Sequence, residues 1–181
     1  ERGRFVWPGA SKGKINLSAT ATFNPLPGDF NSNGYFTLGA AVSEVEVDML
    51  TGEVTVLRSD LLYDCGNSLN PVVDMGQCEG GFMQGVGFYL AEEQIYSPDG
   101  TLQTDGTWEY KPPLACQVPL DFRVEFLKDS PFAAGVKGSK ASGEPPLLMA
   151  YTVFGATRAA VSASRVERGK SSHFNMDVPA T

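Results

Sequence analysis

Two stretches of this sequence carry side chains whose types and spacing could do chemistry. The first is the run 74–92, in which two amides, Gln77 and Gln84, lie seven residues apart. On a helix of about 100° per residue they fall within about 20° of each other, opposite an apolar stripe. The pattern predicts a helix with both amides on its polar side. The apolar stripe consists of Met75, Phe82, Val86, Tyr89 and Leu90.

The same predicted helix is rich in glycine, and each glycine inside a helix costs about 0.5–1 kcal/mol relative to alanine. The glycines are Gly76, Gly80, Gly81, Gly85 and Gly87. Such a cost persists where another group must come close to the backbone. Two interpretations stay open. Either another helix packs tightly against the glycines, or a bulky polar ligand lies against them and hydrogen-bonds with Gln77 and Gln84.

The second stretch centres on Glu144, which precedes two prolines. A residue before proline is extended and prolines suit the first turn of a helix, so Glu144 is predicted at or just before the start of a helix over 146–165. That helix is apolar on most sides, which predicts burial. We expect the carboxylate to be buried or half-buried near the positive end of the helix dipole. It either caps the helix or acts as a positioned general base.

Strands must position these two stretches. Alternating residues in 36–49, turn residues in 50–53 and the β-rich run 54–63 predict a hairpin. A second hairpin over 94–103 and an alternating strand over 121–127 are also predicted. The fold class is therefore expected to be α+β, with antiparallel β-hairpins packed against two buried helices.

At the ends of the chain, residues 1–35 form a predicted loop-rich lead-in with a strand-like patch at 15–23, and 166–181 a polar tail. The length of 181 residues fits one domain or two small ones. The chain begins with Glu1 rather than methionine, so we expect a piece of a longer protein.

Composition limits the partners. With 14 basic and 21 acidic residues the net charge is −7, which argues against nucleic acid or an anionic membrane. No apolar run is long enough to span a membrane. The cysteines, Cys65, Cys78 and Cys116, are odd in number and lack CxxC spacing, so we expect reduced thiols and a cytoplasmic location. The single histidine, His173, lacks partners for a metal site.

Three motifs in order resemble the C-terminal molybdopterin-binding region of the xanthine dehydrogenase/aldehyde oxidase family of molybdenum hydroxylases. They are DCGNSLNP at 64–71, GQCEGGFMQG at 76–85 and GEPPLL at 143–148. The resemblance runs from about Ser18 to the end of the chain. Within the family, GTWEYK at 106–111 is most similar to plant-type aldehyde oxidases.

The resemblance implies an enzyme that oxidises aldehydes to carboxylic acids with a molybdenum–molybdopterin cofactor, using oxygen from water and passing hydride to the metal centre. It implies that Glu144 is the general base and that Gln77 hydrogen-bonds an oxo ligand of the metal, with no side chain of this chain ligating the metal. The other cofactor-binding positions that it implies are Gly80, Gly81, Gln84, Lys140, Ser142 and Gly143.

In this family the 2Fe-2S clusters and FAD belong to domains of the full-length enzyme that are absent here. The resemblance therefore implies one wall of an active site, inactive in isolation, whose partners are the rest of the parent chain, a second subunit in a homodimer, and an aldehyde or N-heterocycle substrate. Three alternatives stay open. They are a purine dehydrogenase of the same family, a hydrolase that pairs Glu144 with a serine or cysteine nucleophile, and a non-catalytic β-rich interaction module.

Overall fold

The computed structural model describes residues 35–181. The lead-in predicted over 1–35, with its strand-like patch at 15–23, lies almost entirely outside them. The chain divides into two units, Glu1–Tyr35 and Phe36–Thr181. All helices and strands of the described residues belong to the second unit.

The first predicted hairpin is confirmed. Strands β1 (Gly39–Val47) and β2 (Val54–Tyr63) pair antiparallel. In the turn between them the Asp48 carboxylate accepts the backbone N–H of Leu50 at 2.7 Å, and Gly52 has a φ of +79°. Because only glycine adopts that conformation without strain, the turn residues determine which strand positions face each other.

Strand β3 (Asp121–Phe126) joins the sheet beside β2, and the two run parallel. The α+β class is confirmed, but the sheet is mixed rather than built from antiparallel hairpins alone. A parallel neighbour needs a long crossover, which the chain from 64 to 120 supplies. The second predicted hairpin is reduced to a tight turn closed by a single antiparallel bridge between Tyr96 and Leu102.

Helix α1 (Pro71–Leu90) lies in this crossover and begins three residues earlier than predicted. Its start has both expected signals. Asn70 caps it, with a side-chain oxygen that accepts the Val73 N–H at 3.4 Å, and Pro71 occupies the first turn.

The single helix predicted over 146–165 is wrong, because two helices form there. They are α2 (Glu144–Met149) and α3 (Tyr151–Glu167), separated by Ala150. Ala150 has a ψ of −10°, away from the helical value of about −42°. The break lies where Ala150 packs against α1, within 2.6 Å of where a Cβ on Gly85 would stand.

One face of the sheet packs against α1 and α3, and this is where the core sits. Phe82 of α1 is fully buried, with its ring 5.2 Å from that of Phe122 in β3. The opposite face of the sheet is exposed, as Val42 shows at 69%. The buried core consists of Val56, Leu61, Tyr63, Cys65, Cys78, Phe82, Val86, Ala150 and Val153. Among the described residues, no helix combines the length and apolar character that crossing a membrane requires.

Candidate functional site

A cleft of about 300 Å³ lies between α1 and the start of α2. It brings together most of the residues singled out in the sequence, although its two walls are more than 50 positions apart in the chain. Its lining consists of Gly76, Gln77, Gly80, Gly81, Gln84, Gly143 and Glu144. The cleft is therefore made by the second and third motifs together.

The α1 wall has the predicted polar side. Gln77 and Gln84 are exposed, whereas Phe82 and Val86 are buried in the core. A Cβ built on Gly76 or on the exposed Gly80 would meet no atom of residues 35–181 within 4 Å. On this side of the helix the glycines leave open space, as the ligand interpretation requires.

The other glycines of α1 have a different role. A Cβ on Gly81 would overlap the carbonyl oxygen of Gly143, and one on Gly85 would overlap the carbonyl oxygen of Leu147. A Cβ on Gly87 would stand 2.6 Å from the ring of Pro113. For these positions the close-packing interpretation holds. Gly81 lines the cleft but makes room for the chain that leads into α2.

Glu144 is the first residue of α2, as predicted, but it is exposed rather than buried. The buried residue of α2 is Pro146, which lies two positions on and so about 200° around the helix. Burying Pro146 leaves Glu144 facing the cleft, whose lining it joins. Gly143 is the N-cap residue of α2 and has no side chain to cap it, and Glu144 is the acidic residue of the first turn. Glu144 therefore does not occupy the N-cap position.

Gly143 also brings the two walls into contact. A Cβ on it would stand 3.1 Å from Oε1 of Gln77. The amide of Gln77 thus lies against the backbone of the residue before Glu144. This contact explains how an amide and a carboxylate from distant parts of the chain come to share one cleft.

Lys140 and Ser142, the remaining predicted site residues, are not among the residues that line the cleft. Ser142 is half-buried in the loop before Gly143. The ammonium of Lys140 is 2.5 Å from Oδ2 of Asp64, in an ion pair whose side chains are only 12% and 3% exposed. Their role toward a cofactor stays a prediction.

Asp64 is the centre of a buried polar cluster. Its Oδ1 accepts the backbone N–H of Gly66 at 2.9 Å and the hydroxyl of Ser130 at 3.0 Å. Burial raises the pKa of the Asp64 carboxyl, but the hydrogen bonds from Lys140, Gly66 and Ser130 together outweigh burial and hold it below its ordinary value. The lowered pKa favours the ionised form of Asp64, whose negative charge pairs with the ammonium of Lys140.

The residues that sequence reasoning missed are those of the first motif, which hold the loop before Glu144. The backbone N–H of Lys140 donates to the Cys65 carbonyl at 2.8 Å, and that of Asn67 donates to the Gly138 carbonyl at 2.8 Å. Tyr63, the residue just before this motif, adds a bond from its hydroxyl to the Ala141 carbonyl. The motif at 64–71 stands out in the sequence and could have indicated these residues, but the sequence alone does not show that they contact the loop before Glu144.

The thiols of this region are poor nucleophiles. Burial raises the pKa of Cys78 to about 12, and burial also raises the pKa of Cys65. A reactive cysteine needs a lowered pKa, so these observations weigh against a hydrolase with either thiol as nucleophile. Cys116 is exposed and does not line the cleft. Within residues 35–181 no group of three or more His, Cys, Asp or Glu side chains could hold a metal ion.

Chemically, the cleft offers two amides, one carboxylate and a stretch of α1 backbone that side chains do not cover. Amides both donate and accept hydrogen bonds, and a carboxylate accepts protons. A flat, polar group such as a pterin cofactor can approach the open side at Gly76 and Gly80. The residues present thus fit one wall of a cofactor site.

Comparison with known proteins agrees with this geometry. The chain is 51% identical over 176 residues to probable aldehyde oxidase 3 of Oryza sativa subsp. japonica, an alignment that covers 95% of this chain and 13% of the relative. It is 50% identical over 179 residues to an indole-3-acetaldehyde oxidase of Zea mays, with 95% and 13% covered. The expected resemblance to plant-type aldehyde oxidases is confirmed. The chain spans about 13% of the length of these relatives.

Among solved structures, quinoline 2-oxidoreductase from Pseudomonas putida 86 superposes with a TM-score of 0.56 and 32% identity, over 68% of this chain and 15% of that one. A family model described as molybdopterin cofactor-binding domain matches residues 5–119, a range that contains the whole α1 wall of the cleft. With the family model, the relatives and the fold in agreement, the chain belongs to the molybdopterin cofactor-binding domain family.

Proposed function

We propose that this chain forms one wall of the active site of a molybdenum hydroxylase that oxidises aldehydes to carboxylic acids. The observation that carries the proposal is the meeting of Gln77, Gln84 and Glu144 in one cleft. The names of the rice and maize relatives, which are aldehyde oxidases, support the substrate class.

The residues of the cleft would divide the work as follows. Gln77 and Gln84 hydrogen-bond the cofactor through their amides, and the open backbone at Gly76 and Gly80 admits it. When bound, the molybdenum–molybdopterin cofactor supplies the two-electron oxidation of the substrate carbon. Glu144 takes the proton from the water-derived nucleophile, and its exposure in the cleft gives its oxygens access to that proton.

The wider setting is part of the proposal. The full-length enzyme would carry 2Fe-2S clusters and FAD in other domains to pass on the electrons, and would be a homodimer without nucleic-acid or membrane partners. Two buried thiols, Cys65 and Cys78, support a reducing, cytoplasmic location. Cell fractionation and size-exclusion chromatography of the native enzyme test these two points, and an enzyme found in the secreted fraction or as a monomer would contradict them.

The test of the catalytic proposal is Glu144→Gln in the full-length enzyme. The amide keeps the size of the side chain but cannot accept the proton, and base catalysis contributes about 10²–10⁴-fold in rate. We expect aldehyde-dependent reduction of the enzyme, measured by rapid kinetics per bound molybdenum, to slow by that factor while the metal content stays the same.

The matched control is Glu167→Gln, at an exposed glutamate that ends α3 away from the cleft. It should reduce at the wild-type rate. If Glu144→Gln also reacts at the wild-type rate with full metal content, Glu144 is not the base. Running the same series with an N-heterocycle in place of the aldehyde tests the purine-type alternative.

A further inference from the structure

The segment that carries Glu144 to the cleft has no regular structure of its own. A short 3-10 helix ends at Gly138 and α2 begins at Glu144, so the loop 139–143 sets where the carboxylate lies. Nothing within a loop of this kind fixes its position. Its position must come from contacts with the rest of the fold.

Those contacts converge on the end of β2 and the residues just after it. Gly66 and Ser139 form an antiparallel bridge, and the backbone N–H of Lys140 donates to the Cys65 carbonyl at 2.8 Å. A Cβ on Gly66 would overlap the carbonyl oxygen of Gly138, 2.5 Å away. Backbone thus lies directly against backbone along this stretch.

Side-chain contacts join the same two segments as well. The hydroxyl of Tyr63 donates to the Ala141 carbonyl, and across 76 positions of the chain Lys140 forms an ion pair with Asp64. Asp64 is 2% exposed. Its other oxygen is held by Gly66 and Ser130, so the carboxylate cannot turn away. The ammonium of Lys140 also lies 5.9 Å from the ring centroid of Phe132, within the range of a cation–π contact.

We propose that Asp64 and Lys140 are positioning residues for Glu144: their buried ion pair holds the loop 139–143 against the end of β2 and so places the carboxylate beside Gln77. The assignment rests on the proposed function of Glu144. It differs from the role that family resemblance implies for Lys140, a contact with the cofactor, because the ammonium faces Asp64 and Lys140 does not line the cleft.

The physical reason is that a buried ion pair tolerates little displacement. Removing one partner leaves the other as an uncompensated buried charge, which is strongly destabilising. In Asp64→Asn the ammonium of Lys140, on the loop, is the group left unpaired, and in Lys140→Gln the loop loses its charged tie to a carboxylate that stays in place. Lys140 is four residues from Glu144, so movement of the loop reaches the cleft. A displacement of about 1 Å at a catalytic group can cost about 10²-fold in rate.

The experiment compares Asp64→Asn and Lys140→Gln in the full-length holoenzyme with Val56→Ala. Val56 is buried near the opposite end of β2, so its truncation lowers stability without touching the loop. The first measurement is hydrogen–deuterium exchange of the amides at 139–143. We expect exchange about tenfold or more faster in both ion-pair variants and unchanged exchange in Val56→Ala.

The second measurement is kcat and KM for an aldehyde, normalised to bound molybdenum. Both ion-pair variants should lose about 10–10²-fold in kcat with KM within about twofold of wild type. Their molybdenum content should be equal to each other and to that of wild type. Lys140→Arg, which restores the charge, should recover most of the kcat lost in Lys140→Gln. If Asp64→Asn fails to fold, Lys140→Gln leaves Asp64 its bonds from Gly66 and Ser130 and carries the test.

Three results would overturn the proposal. The first is exchange at 139–143 that matches Val56→Ala, and the second is faster exchange with undiminished kcat. The third is loss of molybdenum in Lys140→Gln but not in Asp64→Asn, which would assign Lys140 to the cofactor. Failure of the proposed function has a different signature, namely full turnover in Glu144→Gln, and in that case the exchange data alone decide whether the ion pair holds the loop.

Discussion

The two sides of helix α1 show how one sequence feature serves two purposes. On the packed side Gly81 and Gly85 let the backbone of α2 and the residues before it come so close that no side chain would fit. On the open side Gly76 and Gly80 face the cleft, and no atom of the described part of the chain lies within 4 Å of a Cβ on either. The same residue type thus brings Glu144 to the helix on one side and leaves room for a ligand on the other.

This difference explains why the helix tolerates so many glycines. Each lowers the stability of an isolated helix by about 0.5–1 kcal/mol. On the packed side that cost is offset by contacts which only glycine permits. On the open side no contact of the described residues offsets it, so the glycines there point to a requirement of function. Substitutions on the two sides should therefore differ in size and in sign.

The largest effect is expected at Phe82, which marks the buried side of the helix. Phe82→Ala removes a fully buried ring in contact with Phe122 and should lower the free energy of unfolding by about 3–5 kcal/mol. Gln84→Ala, at the exposed side, should change it by less than about 0.5 kcal/mol. Urea titrations of the purified protein measure both. Equal losses of unfolding free energy in the two variants would mean that α1 does not bury the face of Phe82 and expose that of Gln84.

The next effect is expected at Gly81. In Gly81→Ala the new methyl group overlaps the Gly143 carbonyl, so α1 and the start of α2 must separate. Overpacking of this kind costs about 1–3 kcal/mol, more than the gain in helix propensity. The same urea titration should show the loss. An unchanged or raised free energy of unfolding would show that the contact of Gly81 with Gly143 is loose. The two sides of α1 would then not differ in packing.

Local patterns in the sequence predicted the parts of the molecule that depend on near neighbours. The β1–β2 hairpin follows from alternation and a glycine turn, and the polar side of α1 follows from the spacing of Gln77 and Gln84. The start of α2 at Glu144 follows from the prolines after it. In each case the information lies within a few residues of the structure it determines.

The parts that were missed depend on contacts between distant segments. Strand β3 was predicted, but its parallel pairing with β2 leaves no mark in its own alternation. The partner of Lys140 lies 76 positions away, and the break at Ala150 lies where that residue packs against Gly85. The prediction that Glu144 is buried was wrong for the same reason. Which side of α2 is buried depends on its packing against α1, a distant segment, and that packing buries Pro146 and leaves Glu144 exposed. Sequence could also not divide the glycines between the two sides, because it does not show which side meets α2.

The smallest expected effect, and the one with the opposite sign, is at Gly80. No described atom lies within 4 Å of a Cβ at this position, so Gly80→Ala should only restrict the unfolded chain and favour the helix. The free energy of unfolding should rise by about 0.5–1 kcal/mol, and Gly76→Ala, also on the open side, should behave in the same way.

The function of the open side then appears in a second measurement on Gly80→Ala. If the cofactor lies against this stretch of α1, a methyl group there occupies its space, and the full-length variant should bind less molybdenum although its fold is more stable. Greater stability together with lower metal content is a combination that a packing role cannot produce. A gain in stability with full metal content would leave Gly80 outside the cofactor contact, and a loss of stability would mean that the open side is covered by another part of the protein.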